Sequence, residues 1–232
     1  MQEETAGRRG RLSRRQLLRY GGGAGVALAA PLGLQGCFGG DDGDDAPTDT
    51  RQPSSSLMPE VLSEDHAQTL DAALARLIPS DDTGAGAREA KVWRFIDRSL
   101  GADNKMLKPV YEQGLSALAE LAQGEHGKSF RELSGDEQDA LLQRVEGDEA
   151  DGFEPGSAAF FGMLWEHALE GMFGDPLYGG NDKFVGWDLI GFTGIKLFIP
   201  AGEQELDAEI QPAHKSTGDF DMFTLAGMEH HG

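Results

Sequence analysis

Residues 171–194 combine frequent glycines with large aromatic side chains, and this combination constrains the fold more than any other stretch. The stretch reads GMFGDPLYGGNDKFVGWDLIGFTG. Glycine loses the most backbone entropy on folding, whereas each aromatic ring buries a large apolar area. Asp175-Pro176 and Gly180-Asn181 are turn-forming pairs. The pattern therefore predicts a long ordered loop that is folded over its own rings and held in turns suited to glycine.

Two roles are open for this loop. Its rings could face inward and complete the hydrophobic core, because ordered loops are not always functional. Alternatively, they could form or brace a surface for a partner protein, since rigid aromatic side chains are enriched in protein interfaces. The candidate residues for interface formation or loop bracing are Asp175, Pro176, Tyr178, Gly179, Gly180, Asn181, Gly186, Trp187, Gly191 and Phe192.

Apolar periodicity before the loop predicts an all-α fold of about five helices packed in one domain. Ser63 is the expected N-cap of the first helix, and Pro79 is expected to stop it. A capping box begins at Ser134 and opens the fourth helix. The fifth helix is the most apolar and is predicted to be central. The expected ranges after the first helix are 87–100, 106–123, 134–145 and 156–173.

Composition divides the chain into four parts. Residues 1–37 resemble an export signal, and residues 38–59 form a tether rich in Gly, Asp, Pro and Ser that is expected to be disordered. Residues 60–200 are assigned to the helical domain with its long C-terminal loop. Residues 201–232 are polar and are predicted to be a poorly ordered tail.

The leader has a basic region, a short apolar run and a small-residue site. Arg14 and Arg15 fit the twin-arginine pattern, which predicts export of a folded protein. The apolar run is short for a spanning helix, which needs about 20 residues. The segment 34–37 resembles a lipobox, so Cys37 is predicted to carry a lipid and to hold the protein on the membrane, in the periplasm or at the cell surface. The alternative is a plain signal peptide with an incidental cysteine.

Charge and residue patterns argue against several function classes. The formal net charge is −20, so phosphate-mediated binding of nucleic acid is not expected. A single cysteine excludes an intrachain disulfide and a cysteine-ligated iron–sulfur cluster. Asp81 and Asp82 fit an exposed capping turn better than a metal site, and His167 fits a structural histidine. With no nucleophile motif or valid nucleotide loop, no catalytic, cofactor-binding or metal residue is assigned.

Two segments carry a family resemblance. DPLYGGN followed by GWDLIGFTG, together with the earlier block LIPSDDTGAGAREAKVWRFID, is similar to the gluconate 2-dehydrogenase subunit 3 family. The resemblance covers roughly residues 62–194. Ala85 departs from it in a turn where proline is common.

The resemblance implies a non-catalytic accessory subunit of a membrane-bound, FAD-dependent dehydrogenase of sugars, polyols or gluconate. The large partner subunit, of the glucose-methanol-choline type, would hold the FAD. A multihaem cytochrome c subunit would carry haem c. The twin-arginine signal would carry the folded partner out of the cytoplasm, and the lipid would hold the complex to the membrane. The alternative is a stand-alone membrane-anchored lipoprotein with a binding or structural role.

Overall fold

The computed structural model describes residues 58–223, which form six α-helices and no β-strand. The predicted all-α class is confirmed, and the additional helix is a short one inside the glycine-rich stretch. Arg14, Arg15 and Cys37 lie outside the described residues, as does nearly all of the predicted tether. The helices are α1 Glu64–Leu77, α2 Val92–Gly101, α3 Lys108–His126, α4 Gly135–Glu146, α5 Ser157–Phe173 and α6 Val185–Ile190.

Local side chains set several helix ends, as the sequence predicts. The Ser63 side chain accepts a hydrogen bond from the backbone N–H of His66 at the start of α1. Ser134 and Glu137 form the expected capping box at the start of α4. Pro109 lies in the first turn of α3, where its missing N–H removes no intrahelical bond. These ends are predictable because each involves residues within one helical turn.

The second helix begins five residues later than the sequence predicts. Residues 87–91 form turns, and α2 starts only at Val92. Lys91 takes a left-handed conformation with φ of 53°, which cannot belong to a right-handed helix. The Val92 N–H donates to the carbonyl oxygen of Ala87, which closes the turn.

Helix α5 packs against each of the other five helices, which confirms the prediction that it is central. The core is built from side chains with almost no exposed surface, and burial of each large apolar side chain stabilises the fold by roughly 1.5–3 kcal/mol. The largest of these side chains are Tyr111, Phe130, Phe160, Leu70, Leu74, Ile96, Leu100, Leu115, Leu118, Leu141, Leu164 and Met172. No helix within residues 58–223 combines the length and the apolar character needed to cross a bilayer.

A buried carboxylate holds the start of the domain. Asp97 in α2 is 1% exposed, and its two oxygens accept hydrogen bonds from the backbone N–H groups of residues 60, 61 and 62, at 2.6, 3.1 and 2.8 Å. These three donors precede α1 and have no helical partner of their own. Because the partners are 35 to 37 residues apart, apolar periodicity gave no sign of this contact. The segment that leads into α1 is thereby fastened to the side of α2.

Candidate partner-binding loop

The glycine–aromatic loop, residues 171–194, runs from the end of α5 through two 3-10 helices into α6. The first 3-10 helix, Pro176–Tyr178, begins at Asp175, whose Oδ1 accepts from the Leu177 N–H at 2.9 Å. The second, Asp182–Phe184, leads directly into α6. The prediction of a turn-rich coil is therefore correct, although short helical turns make up more of it than expected.

Asn181 is the polar centre of the loop. It is 0% exposed and takes a left-handed conformation with φ of 46°. Its Nδ2 donates to the Gly174 carbonyl at 2.9 Å, and its Oδ1 accepts from the Gly186 N–H at 2.8 Å. Its own N–H donates to the Gly171 carbonyl at 2.8 Å. One side chain and its backbone thus connect the end of α5 to the start of α6.

Two glycines are required because the loop lies directly against the end of α5. A Cβ at Gly180 would lie 2.2 Å from the carbonyl oxygen of Gly171. A Cβ at Gly186 would lie 1.8 Å from the carbonyl oxygen of Met172. Real Cβ atoms do not approach backbone oxygens this closely, so any larger residue would push the loop away from the helix.

Trp187 faces inward. Its ring is 4% exposed, and its indole N–H donates to the Phe173 carbonyl at 2.8 Å. Phe192 packs edge-to-face on it with ring centroids 4.7 Å apart, and Phe184 lies tilted at 5.4 Å. The indole therefore satisfies a carbonyl in the last turn of α5 and forms the centre of a small aromatic cluster.

Tyr178 and Phe192 present part of their rings to solvent, with 44% and 41% of their surface exposed. Gly179 follows Tyr178 and lies against the side chain of Arg98, while Gly191 ends α6. Six of the ten candidate residues therefore divide into two groups. Asn181, Gly180, Gly186 and Trp187 brace the loop from inside, and Tyr178 and Phe192 are accessible to another molecule.

The polar C-terminal segment packs on the loop, although its composition predicted poor order. Asp175 uses its second oxygen to accept from the backbone N–H and the hydroxyl of Thr217, at 2.8 and 2.9 Å. The Ala213 N–H donates to the Thr193 carbonyl, and the Ile195 N–H donates to the Lys215 carbonyl. Backbone groups of residues 213–217 therefore pair with the loop and with Ile195, which follows it.

His214 also belongs to this contact, although the sequence indicates only one of several scattered histidines in a tail. Its ring stacks on Phe184 with centroids 5.1 Å apart, and its Nε2 lies 2.7 Å from the Asp188 carboxylate. Scattered histidines in a polar segment carry no local signal of such a role. His214 and Asp188 are 26 residues apart in the chain, and they meet only because the chain reverses between them.

The other side of the loop rests on α2 and on the turn that precedes it. The Asp182 N–H donates to the Ala90 carbonyl at 3.1 Å, and its carboxylate pairs with the Lys91 ammonium at 3.0 Å. Arg98 donates to the Leu177 carbonyl at 3.4 Å. The left-handed turn at Lys91, which delays the start of α2, therefore also places a cation against the loop.

Two titratable side chains of the core, Tyr111 and His167, lie side by side. The Tyr111 hydroxyl lies 2.8 Å from His167 Nδ1, and the two rings stack at 11°. Burial raises the pKa of Tyr111 and lowers the pKa of His167, so both groups are neutral at pH 7. Asp81 accepts from the N–H and the hydroxyl of Thr83, as expected for a turn. Among residues 58–223 there is no cluster of three His, Cys, Asp or Glu side chains suited to a metal ion.

A surface cleft lies beside α1, and none of the ten loop candidates lines it. Within it the Arg88 guanidinium is 2.9 Å from the Asp71 carboxylate, so these two charges neutralise each other. The cleft is therefore separate from the loop residues singled out above. Its lining includes Asp71, Arg88, Trp93, Arg131 and Gln138.

The family model described as gluconate 2-dehydrogenase subunit 3 matches residues 64–194, more than half of the chain. The chain belongs to the gluconate 2-dehydrogenase subunit 3 family. This membership confirms the resemblance inferred from the two glycine-rich blocks. Comparisons with curated proteins and with solved structures returned no match. In this family member the match begins at the first residue of α1 and ends at the last residue of the glycine–aromatic loop.

Proposed function

We propose that this chain is a non-catalytic accessory subunit of a membrane-bound, FAD-dependent dehydrogenase that oxidises gluconate, a sugar or a polyol. The observation that carries the proposal is family membership across residues 64–194, which spans the whole loop and the six α-helices found among residues 58–223. A family of dehydrogenase subunits implies a catalytic partner subunit. The FAD and the substrate pocket belong to that partner, and haem c belongs to a third, cytochrome subunit.

The geometry of the loop supports a role in partner binding. Asn181 and Trp187 fix its interior, and the ring of Phe192 packs on Trp187. Tyr178 lies in the 3-10 helix that begins at Asp175, so the backbone that carries both half-exposed rings is ordered before any partner arrives. Rings that are already ordered lose little side-chain entropy on association. This favours their use as anchors in a protein interface.

The leader supports the remaining parts of the proposal. A twin-arginine signal at Arg14 and Arg15 exports folded cargo, which suits a partner that must fold around FAD before it crosses the membrane. A lipid on Cys37 then holds the complex to the membrane from outside the cytoplasm.

Metabolic labelling with palmitate tests lipidation at Cys37. We expect the wild type to be labelled and the Cys37→Ala chain to lose the label. Equal labelling of both chains contradicts lipidation at this residue.

Native capture tests the central part of the proposal. The tagged full-length chain is purified from detergent-solubilised membranes of its own cells, and bound FAD and dehydrogenase activity are measured per mole of chain. We expect an FAD-containing oxidoreductase in about equimolar amount, and no flavin absorbance when the chain is produced alone. A captured chain without flavin favours a stand-alone lipoprotein. Flavin bound to the isolated chain contradicts the non-catalytic assignment.

A further inference from the structure

Three consecutive large apolar side chains are exposed just after the glycine–aromatic loop. Leu197, Phe198 and Ile199, which we name the apolar tip, are 54%, 77% and 50% exposed. Soluble surfaces carry scattered apolar residues, but an exposed run of this kind is unfavourable unless it has a function. The tip lies outside the family match, which ends at Gly194. It is therefore a feature that family membership does not explain.

The chain around the apolar tip is closed by its own contacts. Lys196, which precedes the tip, pairs with Glu203 at 2.6 Å, and its side chain is only 17% exposed. Gln204 donates from Nε2 to the Ile199 carbonyl at 2.8 Å. The 3-10 helix Ala201–Glu203 turns the chain back between these contacts. The three apolar side chains are thus displayed by a closed turn.

The apolar tip is also joined to the glycine–aromatic loop. Ile195, two residues before the tip, donates its N–H to the Lys215 carbonyl at 2.9 Å. Lys215 lies in the segment whose Thr217 is held by Asp175 of the loop. The tip therefore extends from the same hydrogen-bonded unit that displays Tyr178 and Phe192.

The exposed charged residues that follow the apolar tip in the chain are acidic. Glu205, Asp207 and Glu209 are exposed in the following segment, and the nearby cation Lys196 is neutralised by Glu203. An acidic rim is repelled by an anionic membrane surface. It is complementary to a protein face that carries lysine or arginine. Of the two surfaces that could cover exposed apolar side chains, the charges favour a protein.

We propose that the apolar tip inserts into an apolar pocket, rimmed by basic residues, on the flavoprotein partner. Leu197 and Phe198 are the anchors, and the acidic residues at 205, 207 and 209 fix orientation at the rim. This inference rests on the proposed function, because it assigns a second contact surface to the same partner. It is separable from that function because it concerns residues beyond the family match.

Quantitative capture tests the inference. The full-length chain carrying Leu197→Asp and Phe198→Asp is compared with the wild type and with Met106→Asp, which alters an apolar residue that is 80% exposed in the 3-10 helix just before α3. We expect recovered FAD per mole of chain to fall at least about tenfold in the double variant, as loss of an interface anchor implies. Met106→Asp is expected to recover the wild-type amount. Equal melting temperatures for the three chains show that the fold is intact.

A charge variant and a vesicle measurement separate the partner from a membrane. Glu205→Lys with Asp207→Lys is expected to lower FAD recovery several-fold at low salt. The full-length Cys37→Ala chain is expected not to float with phosphatidylethanolamine–phosphatidylglycerol vesicles. If the Cys37→Ala chain does float, and the added Phe198→Asp substitution abolishes this flotation, the tip binds the bilayer and the inference is overturned. An unchanged or increased FAD recovery in the charge variant also overturns it.

The capture result distinguishes the two proposals. If the wild type recovers FAD and the Leu197→Asp, Phe198→Asp variant recovers as much, the apolar tip is not a docking surface and the accessory-subunit function stands. If the wild type recovers no flavoprotein, the proposed function is wrong and the inference that rests on it is wrong as well.

Discussion

The helical bundle and the glycine–aromatic loop are ordered by different means. In the bundle, α1 to α5 share a core of apolar side chains, so each residue contributes one part of a redundant packing. In the loop, a few polar groups carry the order: Asn181, Asp175 and Trp187 bind backbone atoms 2 to 42 residues away. The order of the bundle is thus shared among many side chains, whereas the order of the loop depends on a few. Substitutions in the two regions should therefore differ in kind as well as in size.

The largest effect is expected for Asn181→Ala. The substitution leaves the buried Gly186 N–H and the Gly174 carbonyl without partners and puts alanine at a φ of 46°. The free energy of unfolding should fall by about 4 kcal/mol, from roughly 1–3 kcal/mol for each unpaired group plus the left-handed strain. Urea denaturation measures this change.

Asn104→Ala is the matched control, because Asn104 has a negative φ and a long 3.4 Å side-chain hydrogen bond. Its effect should stay below about 1 kcal/mol. A loss at Asn181 no larger than that at Asn104 would contradict the view that loop order is concentrated in one residue.

Leu70→Ala tests the bundle with a comparable but differently distributed loss. Leu70 is 0% exposed in α1, and truncation should cost about 3 kcal/mol through lost burial and a cavity. Hydrogen exchange should speed up throughout the helices, whereas Asn181→Ala should accelerate exchange mainly in residues 171–219. Leu206→Ala, at a fully exposed leucine, serves as the control. Identical exchange patterns in the two destabilised variants would erase the distinction between the regions.

Trp187→Phe sharpens the comparison within the loop. The phenyl ring keeps most of the aromatic packing but leaves the Phe173 carbonyl without the indole donor. A loss of about 1–2 kcal/mol is expected in thermal or urea unfolding. Trp93→Phe, at a half-buried residue of α2, controls for the change in ring size. Equal losses at both positions would mean that the hydrogen bond to α5 contributes nothing.

The stability of the bundle is also expected to depend on pH, through His167, with a smaller effect than the substitutions above. Burial lowers the pKa of His167 in the folded state below its ordinary value of 6.5, so the unfolded chain binds a proton more readily. Stability from this group is complete above pH 6.5 and is lost as the pH falls through that value. Unfolding measured between pH 7.5 and 5.5 should show a decline that is weaker in His167→Gln. The same pH dependence in both chains would show that His167 is not the titrating group.

The sequence predicts the bundle well because its signals are local. The helix caps at Ser63 and Ser134 and the apolar face of α1 each involve neighbours within a few residues. The polar ties of Asp97 to residues 60–62 and of Asp175 to Thr217 join residues at least 35 apart. No periodic pattern encodes such contacts. For the same reason the composition of residues 171–194 marked the loop without showing which of its rings face inward.

Capture of the proposed flavoprotein partner by Tyr178→Ala tests the central claim, which is that the loop is braced from inside and binds a partner through its exposed rings. Because Tyr178 is 44% exposed, removal of its ring should leave the melting temperature within about 2 °C of wild type. FAD recovered per mole of full-length chain should fall about tenfold. A variant that folds normally and recovers as much FAD as the wild type would contradict the claim.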